Sequence, residues 1–152
     1  MNRHVEISRV FEAPRELVYR AFTDPDQIAQ WFGPPGCSVE HGSVEIDARA
    51  GGHLRFVLTG PDMLSPVDTM FTEVVENELL AGEMEVVGVP GAAGPLRMHL
   101  RLEFHDEGNG KTRLELRQGP FPTGQLGADT GKGWESSFTK LDALLEAGLS
   151  AS

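Results

Sequence analysis

The side chains of this 152-residue chain that could do chemistry are few, and their spacing decides what chemistry is open to them. Cys37 and His41 stand four positions apart. On an extended strand that separates them by roughly 13 Å, too far to share one ion. The five histidines, His4, His41, His53, His99 and His105, include no helical pair at ligand spacing, so no metal is expected. Cys37 has no histidine that the sequence places as its base, and no Gly-x-Ser-x-Gly elbow occurs. Gly108-Asn109-Gly110-Lys111-Thr112 ends like a phosphate loop, but His105 stands where its first glycine belongs and a strand follows instead of a helix. Gly131-Lys132-Gly133 and residues 88–94 fail the same test, and no cofactor is expected. General acid–base chemistry would have to use strand-borne groups: Glu73, Glu83, Glu85, His99, Arg101 and Glu103. Alternation sets His99, Arg101 and Glu103 opposite an apolar face, which makes them an outer, wet surface. Around Glu73 the two phases are equally mixed; turned inward, it would be a polar anchor or acid. No catalytic residue is singled out.

Charge narrows the partners. Thirteen Lys and Arg against 23 Asp and Glu leave a net charge of -10, which repels phosphate backbones and anionic lipid surfaces. Neither a nucleic-acid nor a membrane partner is expected. One cysteine cannot close an intrachain disulfide, and the first residues lack the apolar core of a signal peptide, so the expected compartment is the cytoplasm. No stretch approaches the roughly 20 apolar residues of a membrane span.

The elements that would position any site follow from periodicity. Val5, Ile7 and Phe11 against Glu6 and Ser8 predict a first strand. Pro14 opens a short helix carrying Leu17, Val18, Ala21 and Phe22, and Asp24-Pro25-Asp26-Gln27 starts a second in the manner of a capping box, with Ile28 and Trp31 on its buried side. Gly33-Pro34-Pro35-Gly36 stops it. Strands are then expected near 38–47, 53–59, 68–75, 79–87, 96–104 and 112–117. Leu96, Met98, Leu100, Leu102 and Phe104 share one dry face, and Asn109-Gly110 predicts a tight hairpin into the last strand. Residues 90–95 read as a loop between strands. Trp134, Phe138, Leu141 and Leu145 fall on one helix face. Glycines at 124, 127, 131 and 133, each costing about 1 kcal/mol in a helix, limit the predicted firm helix to 132–147 and leave the approach to it mobile. The whole is a single α+β domain over 1–152, a curved antiparallel sheet around one long helix, with space for a cavity between them.

Five segments, Arg9-Val10-Phe11-Glu12-Ala13-Pro14, Asp24-Pro25, Gln30-Trp31-Phe32-Gly33-Pro34, Asp47-Ala48-Arg49-Ala50-Gly51-Gly52-His53-Leu54 and Gly133-Trp134, together resemble the activator-of-heat-shock-protein-90-ATPase-like family of the START/Bet v superfamily. Arg9-Val10-Phe11-Glu12-Ala13-Pro14 is similar to its Arg-x-Phe-x-Ala-Pro strand-to-helix junction. Asp24-Pro25 and Gln30-Trp31-Phe32-Gly33-Pro34 resemble its second helix and the loop after it. Asp47-Ala48-Arg49-Ala50-Gly51-Gly52-His53-Leu54 resembles its Asp-x-Arg-x-Gly-Gly-x-aromatic hairpin, with Leu54 in place of the aromatic, and Gly133-Trp134 matches a frequent Gly-Trp element. The resemblance implies the helix-grip fold, in a family that includes binders of apolar ligands, polyketide cyclase-like proteins and a co-chaperone domain. That co-chaperone carries a separate N-terminal domain to which nothing here corresponds. The expectation is therefore an apolar or aromatic small molecule held between sheet and helix, with Phe56, Glu73, Leu100, Trp134, Phe138 and Leu141 as lining residues. The alternatives are a cyclase-like or other small-molecule enzyme, and a co-chaperone-like or other protein-interaction module, with a homodimer left open.

Overall fold

A computed structural model describes residues 4–33, 36–40, 42–61, 63–88 and 94–150. His41 and residues 90–93 of the expected loop lie outside them. Strand β1 (Val5–Phe11) leads into helices α1 (Arg15–Thr23) and α2 (Pro25–Trp31), as the periodicity predicts. Asp24 does two jobs at their junction. Its backbone N–H donates to the Arg20 carbonyl at 2.8 Å and closes α1, while its carboxylate accepts from the Asp26 N–H at 2.9 Å and opens α2. Because that N–H is already spent, Gln27 closes no capping box and instead approaches the Asp24 carboxylate at 3.4 Å.

The expected strand at 38–47 divides into β2 (Ser38–Val39) and β3 (Glu45–Ile46), both paired with β4 (His53–Gly60). Ser43 causes the break. Its hydroxyl donates to the Glu40 carbonyl at 2.7 Å and accepts the Val57 N–H at 3.1 Å, so a side chain takes the place of a ladder bond. Strands β5 (Met63–Val75), β6 (Leu79–Val86), β7 (Leu96–Gly108) and β8 (Lys111–Gly119) follow, and the antiparallel sheet runs β1-β8-β7-β6-β5-β4-β2. β5 starts earlier than expected because Pro66 lies beyond the last β5–β6 pair, Val67 with Val86, where its missing N–H breaks no bond to β6. Between β7 and β8, Asn109 (φ 56°) and Gly110 (φ 73°) form the tight turn their types foretell.

Helix α3 (Gly124–Ser150) closes the concave face, and it begins eight residues before the expected 132. Thr123 caps it, its hydroxyl accepting the Leu126 N–H at 3.1 Å. Leu126 packs on the core and Gly127 is buried, so tertiary contact offsets the propensity cost that marked this stretch as mobile. The core lies between sheet and helix. Leu96, Met98, Leu100, Leu102 and Phe104 are all buried, while Arg97, His99 and Arg101 across the strand pair with Glu85, Glu83 and Glu103 on the outer face.

Candidate functional site

The interior is not fully packed. A cavity of about 400 Å³ lies between the sheet and the N-terminal half of α3. Its sheet wall consists of inward side chains of β4 to β7: Leu58, Val67, Met84, Val86, Leu96 and Met98. Phe32 and Phe121 close the sides, and Leu126, Thr130, Gly133, Trp134 and Ser137 form the helical roof. Apolar atoms dominate the lining, with two flexible thioethers among them.

Polar groups reach the cavity at a few points, and most are already engaged. Ser65 donates to the Val87 carbonyl at 2.5 Å, and Thr130 donates to the Leu126 carbonyl at 2.8 Å. Ser137 donates to the Gly33 carbonyl at 2.9 Å and accepts its N–H at 3.2 Å, fixing the loop after α2 to α3. Gln118, on β8, is only 4 % exposed. Its carbonyl oxygen accepts the Trp134 indole N–H at 2.7 Å. Among the described residues its amide nitrogen meets only the sulfurs of Met84 at 3.2 Å and Met98 at 3.1 Å. Among the described residues, the titratable side chains on the lining are Cys37 and Asp129.

A second, much smaller void of about 30 Å³ lies deeper in the core. Phe32, Met84 and Trp134 border both spaces and so form the partition between them. Thr69 lines the small void, and its buried hydroxyl has no protein partner among the described residues.

The expected lining residues separate accordingly. Trp134 borders the main cavity. Phe56 and Leu100 border the small void instead, one layer deeper. Phe138 and Leu141 have no exposed surface and line neither space, which corrects their expected role. Phe138 packs edge-on against Phe11 at 5.4 Å between ring centroids and stacks on Trp31 at 6.3 Å, so this part of α3 is spent on closing the core. Glu73 is a second correction. A bulge between Phe71 and Glu73 shifts the β5 register, so Phe71 faces in, Val74 resumes the inner phase and Glu73 turns to the outer face near Arg101.

Gln118 was the inward polar group that sequence reading passed over. Its signal was present, because Leu114, Leu116 and Gln118 continue one period-2 phase, but the adjoining Gly119-Pro120 read as the end of the strand.

On the outer face, possible ligand atoms of Glu103, His105 and Glu115 lie within 4.8 Å of one another. Arginines already occupy the carboxylates: Arg101 reaches Glu103 at 2.6 Å and Arg113 reaches Glu115 at 3.4 Å. The Arg101 hydrogen bond holds the Glu103 carboxyl below the usual range, against the opposing effect of partial burial. This constellation is an ion-pair network across β7 and β8.

A curved antiparallel sheet gripping a long C-terminal helix defines the helix-grip class. Residues 12–146 match the family described as activator of Hsp90 ATPase homolog 1-like protein, and the chain belongs to that family. Among solved structures, a protein from Chromobacterium violaceum is similar at 27% identity, covering 96% of this chain and 99% of that one, with a TM-score of 0.83. A Silicibacter pomeroyi AHSA1 protein shares the fold at 20% identity, covering 95% of this chain and 99% of its own, with a TM-score of 0.80. A Nitrosomonas europaea protein shares it at 24% identity, covering 97% and 96%, with a TM-score of 0.78. No curated protein matches the sequence. Among the described residues, no helix is long and apolar enough to cross a membrane.

Proposed function

We propose that this chain binds an apolar small molecule in the cavity between the sheet and the N-terminal half of α3. The observation that carries the reading is the cavity itself, about 400 Å³ and lined mainly by aliphatic, aromatic and thioether side chains. Small-molecule sites commonly occupy about 300 to 1,000 Å³ with a few placed polar groups. Membership in the family supports the reading, since this fold class includes binders of apolar ligands. The lining fits binding better than acid–base chemistry, because its titratable side chains, Cys37 and Asp129, form no hydrogen-bonded pair with each other.

Native mass spectrometry of freshly purified protein, together with titration of a fluorescent apolar probe, tests this. A stoichiometric complex is expected, with a change in Trp134 emission. Val86→Trp should fill the cavity and weaken probe binding more than folding, although overpacking itself costs about 1 to 3 kcal/mol. Native protein that carries no adduct and binds no apolar probe would overturn the assignment.

A further inference from the structure

The cavity holds one mismatch between a buried group and its surroundings. Gln118 is 4 % exposed, and its amide has one orientation open to it. The Trp134 indole can only donate, so the 2.7 Å contact must be made to the Gln118 oxygen. That turns the –NH₂ group, with two protons to give, toward the sulfurs of Met84 and Met98. Thioethers are weak acceptors, and a buried donor without a good partner is costly. The hydroxyl side chains on the wall differ: Ser65, Thr130 and Ser137 each donate to a backbone carbonyl. Gln118 thus gives its N–H donors only to weak acceptors, thioethers on flexible side chains that can yield to a better one.

Charge defines the remainder of the ligand. Among the described residues no arginine or lysine lines the cavity, and Asp129 does. A carboxylate or phosphate ligand would enter without a counter-charge, at a high desolvation cost.

We propose that the cavity selects an uncharged apolar molecule bearing a hydrogen-bond acceptor of the carbonyl type, which takes its hydrogen bond from the Gln118 amide N–H. This rests on the reading of the cavity as a binding site and adds the chemistry of its ligand.

The test uses three probes of closely similar shape: benzophenone, diphenylmethane, which replaces the carbonyl by a methylene, and 4-benzoylbenzoate, which adds a negative charge. Dissociation constants are measured by calorimetry for the wild-type protein, Gln118→Leu and Gln118→Met. Infrared spectra of carbonyl-labelled benzophenone are recorded with wild type. The ratio of ketone to hydrocarbon affinity should fall about 3- to 10-fold in both variants, the loss expected for one hydrogen bond between neutral groups. The carbonyl stretch should move to lower frequency in the wild-type complex than in alkane solvent, and 4-benzoylbenzoate should bind more weakly than benzophenone. If Gln118 variants do not fold, the wild-type infrared shift still decides. An unshifted carbonyl, or an affinity ratio the same in all three proteins, would overturn the donor assignment while leaving the cavity as a binding site. Tighter binding of the benzoate would overturn the selection for uncharged ligands. Failure of both benzophenone and diphenylmethane to bind wild type would instead remove the binding-site reading and this inference with it.

Discussion

Trp134 joins stability to the site, because its ring is cavity roof and core partition at once while its N–H fixes Gln118. Trp134→Ala should therefore destabilise by about 3 to 5 kcal/mol, as for other large aromatic deletions. Trp134→Phe keeps most of the packing but leaves the Gln118 oxygen unpaired, and should cost about 1 to 3 kcal/mol. Urea midpoints separate the two; a wild-type midpoint in both would contradict the packing of α3 on the sheet. On the outer face, Glu103 provides a pH signature. Hydrogen bonding from Arg101, with a smaller part from His105, lowers its carboxyl pKa in the folded protein. The stabilisation is thus fully present above the unfolded glutamate value of about 4.3 and is lost as pH falls through the lower folded value. Glu103→Gln should be less stable than wild type at neutral pH, with the gap narrowing in acid. Denaturant titrations at the two pH values measure it, and a gap that widened in acid would refute the sign.

At the scale of elements, two glycine positions carry steric demands that their neighbours impose. Gly51 has φ +85°, and a Cβ on Gly52 would run into the Asp47 carbonyl oxygen. Both Gly51→Val and Gly52→Val should lower the melting temperature, the second more, since its conflict is with backbone; two wild-type melting curves would remove the argument. Helix α3 is a composite. Its C-terminal part, with Phe138, Leu141 and Leu145 buried, is anchored in the core, whereas its first turns hold Gly124, Gly127, Gly131 and Gly133 and roof the cavity. Low intrinsic helix propensity beside an open space predicts faster amide exchange over residues 124–133 than over 134–147. Thr123→Ala should remove the cap, costing about 1 kcal/mol, and accelerate that exchange further. Uniform protection along α3 would contradict this division.

Over the whole molecule, two surfaces with opposite properties lie back to back on one sheet. The inner face is apolar and meets the cavity; the outer face is a lattice of ion pairs running through Glu83, Glu85, Arg97, His99, Arg101, Glu103, Arg113 and Glu115. Because both signs alternate there while the net charge is -10, the outer face offers no basic surface to a phosphate backbone. The protein should leave DNA and RNA unshifted at physiological salt. Salt-sensitive binding at micromolar protein would overturn that reading of the surface.

The sequence by itself determined the order of most elements and the faces of those with unbroken alternation or a clear helical stripe. Leu96 to Phe104 alternate without interruption, Asn109-Gly110 admits few turns, and Trp134, Phe138, Leu141 and Leu145 mark one side of a helix, so local chemistry and period sufficed. Membership in the family was legible for the same reason, in short motifs at turns and junctions. Tertiary structure decided which inward residues meet empty space and which meet each other. Phe138 and Trp134 share a helical stripe, yet one is sealed among Phe11 and Trp31 while the other borders the cavity, because β1 and α2 bring those two rings against Phe138. A single bulged residue in β5 turned Glu73 outward, and a bulge depends on the pairing of two strands. Gln118 became a site residue only when β8 brought it under Trp134 and between two methionines from other strands. Period assigns a side chain to a face; only packing between elements distant in sequence determines what stands opposite it.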